Sequence, residues 1–169
     1  MMLFMGTGAA LFAQENSAEV SFTFTRQSGR ASNQFAIWIE DAQGQYVRTL
    51  YATRFTAAGG WRRREGSLPQ WVRQSGLAQR SRGHVDALTG PTPRTGPLRF
   101  AWDGRNYAGQ AVPPGEYRVF VEASLRWDDR VLYTAAIRLG GTGQVNAAPE
   151  FFGTGTAERG MIGPVTVTF

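Results

Sequence analysis

The residues best suited to chemistry lie between positions 86 and 92. Asp86, Thr89, Gly90 and Thr92 form the pattern Asp-x-x-Thr-Gly-x-Thr, and Pro91 occupies its last variable position. Gly90 favours a tight turn, and Thr92 offers a hydroxyl oxygen just after that turn. Small neighbours would leave this oxygen open to an enzyme that transfers a group onto it. The alternative interpretation is a rigid surface turn without chemistry.

This pattern is similar to the flavinylation motif Asp-x-x-Ser/Thr-Gly-Ala-Ser/Thr, in which a phosphoester joins FMN from FAD to the last hydroxyl. The resemblance implies covalent FMN at Thr92, delivered by a flavin transferase, with Asp86, Thr89 and Gly90 as further cofactor-binding residues. The sequence departs from the motif at Pro91, where the motif has a small alanine. A second implication is docking to a flavinylated partner without carriage of flavin.

Other polar residues are weaker candidates for a site. Three arginines at residues 62–64 follow Trp61 and suit either a phosphate or stacking on a ring; the alternative is a solvated loop. His84 is the single histidine, and with Asp86 it makes only a weak metal-site candidate. Residues 128–129, both aspartate, fit a hairpin turn better than a cation site.

The composition excludes several kinds of site. The chain has 169 residues, of which 42% are hydrophobic and 18% charged, as expected for one globular domain. It has no cysteine, which excludes disulfides, thiolate metal sites and a cysteine nucleophile. No phosphate loop, nucleophile elbow, zinc-protease helix or dinucleotide fingerprint occurs, so no motif indicates an enzyme.

All 18 basic residues are arginine, and the formal net charge is +5. The usual explanation is a coding bias towards arginine. The alternative is a surface that binds phosphate or anionic lipid, because guanidinium grips phosphate with paired hydrogen bonds. The arginines are spread through the chain and no nucleic-acid motif is present, so we do not expect a nucleic-acid partner.

The N-terminus resembles a secretory signal. Residues 1–13 are apolar or small, and a polar run begins at Gln14. The pattern predicts a signal remnant cut after Ala13, with residues 14–169 as a single domain, although the usual basic leader is missing. The alternatives are a short buried strand and a disordered tail. The apolar stretch is too short to span a membrane, so we expect an exported periplasmic protein without a membrane span.

Alternating apolar and polar residues predict about seven strands. Short turns link them, and no long helix intervenes, which favours an all-β, immunoglobulin-like antiparallel β-sandwich. One short helix is expected, with Ser67 as its cap, Pro69 in its first turn, Gly76 at its end and Leu68, Trp71 and Val72 packed inward. The strands are expected at residues 19–25, 34–40, 46–55, 98–104, 112–123, 130–139 and 164–169.

Residues 98–104 and 112–123 are predicted to form two strands of one hairpin. Pro113, Pro114 and Gly115 suit a tight turn before the second strand, and Trp102 is expected to cover one end of the core. The Trp-Asp-Gly, the polar loop and the Pro-x-Gly-x-Tyr strand resemble the immunoglobulin-like domain of flagellar hook-capping proteins. That resemblance indicates a kind of sandwich and implies no function.

A wider resemblance covers about residues 20–137. The segments that carry it are residues 35–41, 46–51, 60–61, 67–71, 86–93 and 127–133. In these segments the chain resembles an uncharacterised family of predicted periplasmic proteins, domain of unknown function 2271, whose members tend to be associated with flavin transferases and membrane reductase-like proteins. The resemblance implies a carrier or docking partner in a flavin-linked extracytoplasmic electron-transfer system. The alternative is a protein-binding or structural module without a cofactor.

Overall fold

Ten strands and four short helical segments make up the described part of the chain. The computed structural model describes residues 16–29, 32–79, 89–126, 129–154 and 160–169. The strands are β1 (Ala18–Phe24), β2 (Gln34–Asp41), β3 (Tyr46–Thr53), β4 (Thr89–Gly90), β5 (Gly96–Trp102), β6 (Gly115–Arg126), β7 (Asp129–Leu139), β8 (Gln144–Asn146), β9 (Ala148–Phe152) and β10 (Thr166–Thr168). The helices are α1 (Arg54–Ala57) and α2 (Pro69–Gln74), with 3₁₀ turns at Gly60–Arg62 and Leu77–Gln79.

The strands form two sheets, which confirms the predicted all-β sandwich. The four-stranded sheet has the order β5-β1-β10-β8, and the six-stranded sheet has the order β4-β3-β2-β6-β7-β9. Every pairing within these sheets is antiparallel except that of β3 with β4. The described residues hold ten strands instead of about seven, because the prediction missed β4, β8 and β9, which have only two, three and five residues. Segments this short leave no readable alternation in a sequence.

The space between the sheets holds the main core. Phe35, Ile37 and Ile39 of β2 point into it, while Trp38 points to the opposite face, as their alternation predicts. Phe35 is fully buried and its ring contacts four other aromatic rings. Inward-facing residues of the other long strands are Val20, Phe22, Phe24, Tyr117, Val119, Val121, Ala123, Val131, Tyr133, Ala135 and Ile137.

The predicted hairpin of residues 98–104 and 112–123 is wrong. β5 pairs with β1 in one sheet, whereas β6 pairs with β2 and β7 in the other. Residues 103–114 therefore cross from one sheet to the other, and sequence proximity of two strands did not mean pairing. Trp102 is buried beside this crossing, where its ring meets Tyr117 edge-on and its Nε1 donates to the Arg105 carbonyl.

The outer face of the six-stranded sheet is also covered. Residues 54–79, here called the helical cap, pack Leu68 and Trp71 against Trp38 and Phe120. The rings of Trp38 and Phe120 are stacked 5.0 Å apart. The central strands are therefore buried on both faces, which explains why β2 is buried along almost its whole length.

Two details of the cap differ from expectation. The strand predicted over residues 46–55 ends at Thr53, because the Thr53 hydroxyl donates to Gln34 Oε1 at 2.6 Å and the chain turns into α1. Ser67 does not cap α2; its hydroxyl pairs with that of Thr56 at 2.6 Å. The predicted place of Pro69 in the first turn, the inward packing of Leu68, Trp71 and Val72, and the stop at Gly76 (φ 61°) are confirmed.

Glu122 of β6 holds α2 against the sheet. Its fully buried carboxylate accepts hydrogen bonds from the backbone N–H of Gln70 at 3.2 Å and of Trp71 at 2.8 Å. Arg130 donates to the same carboxylate at 3.2 Å and stacks over the Phe152 ring at 3.8 Å. Burial raises the pKa of Glu122 above its ordinary value of 4.5, although these hydrogen bonds and the Arg130 charge act to lower it.

This raised pKa makes stability depend on pH. The folded chain binds the Glu122 proton more tightly than the unfolded chain does, and this stabilises the fold. The stabilisation is present in full below pH 4.5 and is lost as the pH rises through the pKa of Glu122 in the folded chain. Glu122→Gln removes this titration. We expect the unfolding free energy of the wild type, relative to that of Glu122→Gln, to fall as the pH rises. Urea denaturation of both proteins measures this fall, which should reach about 1.4 kcal/mol for each unit by which the pKa of Glu122 is raised. A difference that stays flat or grows with pH would contradict the assignment.

Candidate functional site

The Thr89–Gly90–Pro91–Thr92 segment lies at the edge of the six-stranded sheet. β4 pairs in parallel with the end of β3, with Thr89 opposite Ala52 and Gly90 opposite Thr53. The structure thus places three of the four predicted site residues on one short segment. The fourth, Asp86, lies outside the described residues, as do His84, residues 127–128 and the predicted signal at residues 1–13.

A glycine is required at position 90 because the backbone there lies directly against the Tyr51 ring. A Cβ atom at position 90 would lie 2.8 Å from Tyr51 Cε2 and 3.0 Å from the Tyr51 hydroxyl oxygen. The Tyr51 ring is itself packed against Phe35 and Phe100, at centroid distances of 5.1 and 5.0 Å. The glycine of the motif therefore allows close approach of the segment to a ring that is anchored in the core.

Tyr51 also fixes the residue that departs from the flavinylation motif. Its hydroxyl donates to the Pro91 carbonyl oxygen at 2.7 Å, while Pro91 itself is exposed. Partial burial raises the pKa of the Tyr51 phenol, so it stays protonated and able to donate at neutral pH. Pro91 lacks a backbone N–H, and its ring restricts its own φ. The proline ring and the hydrogen bond from Tyr51 together hold the backbone before Thr92.

The two threonines of the segment differ in environment. Thr89 Oγ1 is buried and has no hydrogen-bond partner in the described residues. A buried hydroxyl without a partner costs about 1–3 kcal/mol, and among the described residues this cost falls on Thr89. Thr92 is half-buried, so part of it is open to solvent. Of the two hydroxyls, that of Thr92 is better placed to meet another protein.

A small basic pocket lies on the helical cap, next to this segment in the fold. α1 follows β3 directly and packs against β4. The pocket has a volume of about 230 Å³. Its lining residues are Arg54, Phe55, Ala58, Gly59, Gly60 and Arg63, and the name basic pocket is used for this set below.

Two of the three arginines at residues 62–64 have different surroundings. The Arg62 guanidinium lies 4.7 Å above the centroid of the Trp61 ring, which is one of the arrangements that the sequence left open. Arg63 is exposed and lines the basic pocket instead. Phe55, which was expected inside a strand, is 45% exposed and forms the apolar wall of that pocket. No sequence signal marked Phe55 as a surface residue.

A second concavity lies at the far end of the six-stranded sheet, between the β2–β3 turn and residues 106–117. It has a volume of about 450 Å³ and is lined by Tyr46, Tyr107, Asp41 and Glu116, among others. Tyr107 is 52% exposed. Burial, and then the charge of Asp41, raises the pKa of Tyr117 at its floor. This acidic groove was not predicted, because its residues come from three separate stretches of the chain.

The described residues show no metal site. No group of three or more histidine, aspartate or glutamate side chains converges within them. No described helix is both long and apolar enough to cross a membrane. The chemistry that the described part offers is therefore a hydroxyl at a fixed sheet edge, a basic aromatic pocket and an acidic aromatic groove.

The contact of Gly90 with Tyr51 predicts the effect of one substitution. Gly90→Ala should lower the unfolding free energy by about 1–3 kcal/mol, because the added methyl group overlaps a ring that packed neighbours hold in place. Urea denaturation measures this loss. Tyr51→Ala supplies the control, since Gly90→Ala should cost much less in that background. Equal costs in both backgrounds would show that the ring does not constrain the segment.

Comparison with known proteins identifies the family. A family model described as "Predicted periplasmic protein (DUF2271)" matches residues 15–153. Comparisons with curated proteins and with solved structures gave no match. The match covers most of the chain, including the six-stranded sheet, the helical cap and the Thr89–Thr92 segment, and β10 of the four-stranded sheet lies outside it. The chain belongs to this family of predicted periplasmic proteins.

Proposed function

We propose that the chain is a carrier of covalent FMN in a flavin-linked extracytoplasmic electron-transfer system. The observation that carries the proposal is the segment Thr89–Gly90–Pro91–Thr92: its spacing is that of a flavinylation motif, and Tyr51 holds it at the sheet edge with Thr92 partly open to solvent. The family description agrees with the compartment that this role requires.

The chemistry is a phosphoryl transfer performed by a separate flavin transferase. The Thr92 hydroxyl oxygen attacks the FMN phosphorus of FAD and forms a new P–O bond. The bond from that phosphorus to the bridging pyrophosphate oxygen breaks, AMP leaves, and the hydroxyl proton is released. The product is a phosphodiester that joins FMN to Thr92. This chain supplies the acceptor oxygen and its position, and a membrane redox protein would exchange electrons with the bound flavin.

The environment of the segment supports this use in two ways. Fixing the backbone before Thr92 reduces the entropy that a transferase must remove when it orients the hydroxyl. Thr92 is only half-buried, so part of its side chain is open to an enzyme. Pro91 contributes to the same rigidity through its restricted φ and its hydrogen-bonded carbonyl.

The acidic groove favours a second candidate function, that of a protein-binding module without cofactor. Its exposed Tyr107, beside Tyr46 at a centroid distance of 6.4 Å, resembles the aromatic anchors of protein interfaces. The two functions differ in one property, since only the first gives the purified protein a flavin absorbance after co-expression with a flavin transferase.

Co-expression also gives a direct prediction. The intact mass of the wild type should increase by one FMN less one water, and Thr92→Ala should abolish the increase. Thr92→Ser keeps a hydroxyl at the same place and should retain at least part of it. Thr95→Ala removes a nearby exposed hydroxyl and should behave as the wild type does. An unchanged wild-type mass, with the transferase active on a control substrate, would refute the proposal.

A further inference from the structure

We propose that the basic pocket receives the isoalloxazine ring of the FMN carried by Thr92, with Phe55 against one face of the ring and Arg54 and Arg63 near its polar edge. This inference rests on the proposed function and adds to it a binding site for the carried ring. No resemblance in the sequence points to these residues; their geometry and charge support the site.

Phe55 forms a fixed platform. A Cβ atom at position 60 would lie 2.4 Å from the Phe55 carbonyl oxygen and 2.6–2.7 Å from two ring carbons, so the ring packs directly against the Gly60 backbone. Gly60 is buried, whereas Phe55 remains 45% exposed. Gly59 precedes it with φ 100°, a conformation that suits glycine. The two glycines thus let one side of an aromatic ring rest on backbone while another side faces solvent.

An exposed phenylalanine held in this way suits stacking with a flat ring. Aromatic pairs prefer offset stacked or edge-on arrangements and gain about 0.5–1.5 kcal/mol beyond the burial of their area. A pocket of about 230 Å³ is smaller than the roughly 300–1,000 Å³ of sites that enclose a drug-sized ligand. It would cover one face of an isoalloxazine ring and leave the other face open, which suits electron exchange with a second protein.

The charge of the pocket fits the same ligand. Arg54 and Arg63 are exposed, and neither is in any of the ion pairs found among the described residues. Glu65, the acidic residue nearest in sequence, is exposed and does not line the pocket. The attached phosphodiester is an anion, and reduced flavin gains negative charge at its pyrimidine edge. Guanidinium groups stabilise both through charge-assisted hydrogen bonds.

The pocket and the acceptor hydroxyl belong to the same corner of the fold. Thr53, the last residue of β3, pairs with Gly90, the last residue of β4. Arg54 of the pocket follows Thr53 in the chain, and Pro91 follows Gly90. α1 packs against β4. A flavin joined to Thr92 through its flexible ribityl chain therefore begins beside the pocket, and the tether raises its effective concentration there.

The test uses co-expressed, flavinylated protein and separates carriage from docking. Intact mass reports carriage, and the fluorescence anisotropy of the bound FMN reports docking, because an isoalloxazine ring held against Phe55 rotates with the protein. We expect Phe55→Ala to keep the mass increase and lower this anisotropy. Phe151→Ala, which removes a similarly exposed phenylalanine on β9, should leave it unchanged. Circular dichroism in the far ultraviolet checks that both variants fold.

A second variant pair tests the charges without altering the platform. Replacing Arg54 and Arg63 together by glutamine should make the midpoint potential of the bound flavin more negative, because the reduced, anionic form loses its cations. Arg73→Gln removes an exposed arginine of α2 outside the pocket and should leave the potential unchanged.

The outcomes distinguish the two proposals. Carriage would stand and docking would be overturned by a mass increase together with two wild-type values: the flavin anisotropy of Phe55→Ala and the midpoint potential of the double glutamine variant. No mass increase in the wild type would overturn carriage, and docking with it.

Discussion

The fold depends on covering both faces of the six-stranded sheet. Its central strands carry apolar side chains on both sides, and β2 alone places Phe35, Ile37 and Ile39 on one face and Trp38 on the other. The four-stranded sheet covers the first face. The second needs another layer, since a face that exposes Trp38 and Phe120 to water would forgo about 1.5–3 kcal/mol for each large side chain. The helical cap supplies that layer.

This constraint also explains the polar groups beneath the cap. Short helices leave backbone N–H groups without partners, and burying them against a sheet requires acceptors. Glu122 supplies two such acceptors and Arg130 balances its charge. The hydroxyl of Ser124 performs a similar task, because it accepts from the Leu68 N–H and donates to the Gly66 carbonyl. The cap is therefore held by a few directed hydrogen bonds as well as by apolar contact.

The position of the candidate site follows from the point at which the chain leaves β3 to form the helical cap. β3 ends at Thr53 because the chain must leave the sheet to form the cap, and β4 pairs with β3 at that exit. Tyr51, which packs against the main core, contacts Gly90 through its ring and Pro91 through its hydroxyl group. The Thr89–Thr92 segment, α1 and the basic pocket meet at this corner, and the proposed flavin site combines all three.

The sequence was informative where a pattern is local. Alternation identified the faces of β1, β2, β6 and β7, and Pro69 and Gly76 bounded the short helix correctly. It failed where partners are distant: β5 and β6 lie in different sheets, and Ser67 pairs with Thr56 instead of capping α2. The spacing of Thr89, Gly90 and Thr92 could be read from the sequence. The contact of Gly90 with Tyr51, 39 positions earlier, and the exposure of Phe55 depend on tertiary packing and could not.

Peptide mapping shows whether the Thr92 oxygen carries FMN. Trypsin cleaves after Arg82 and Arg94, so residues 83–94 form one peptide that contains both Thr89 and Thr92. Protein co-expressed with an active flavin transferase is digested, and the peptide is fragmented in a mass spectrometer. We expect FMN on fragments that contain Thr92 and none on those that contain Thr89 alone. An unmodified peptide, or FMN on Thr89, would contradict it.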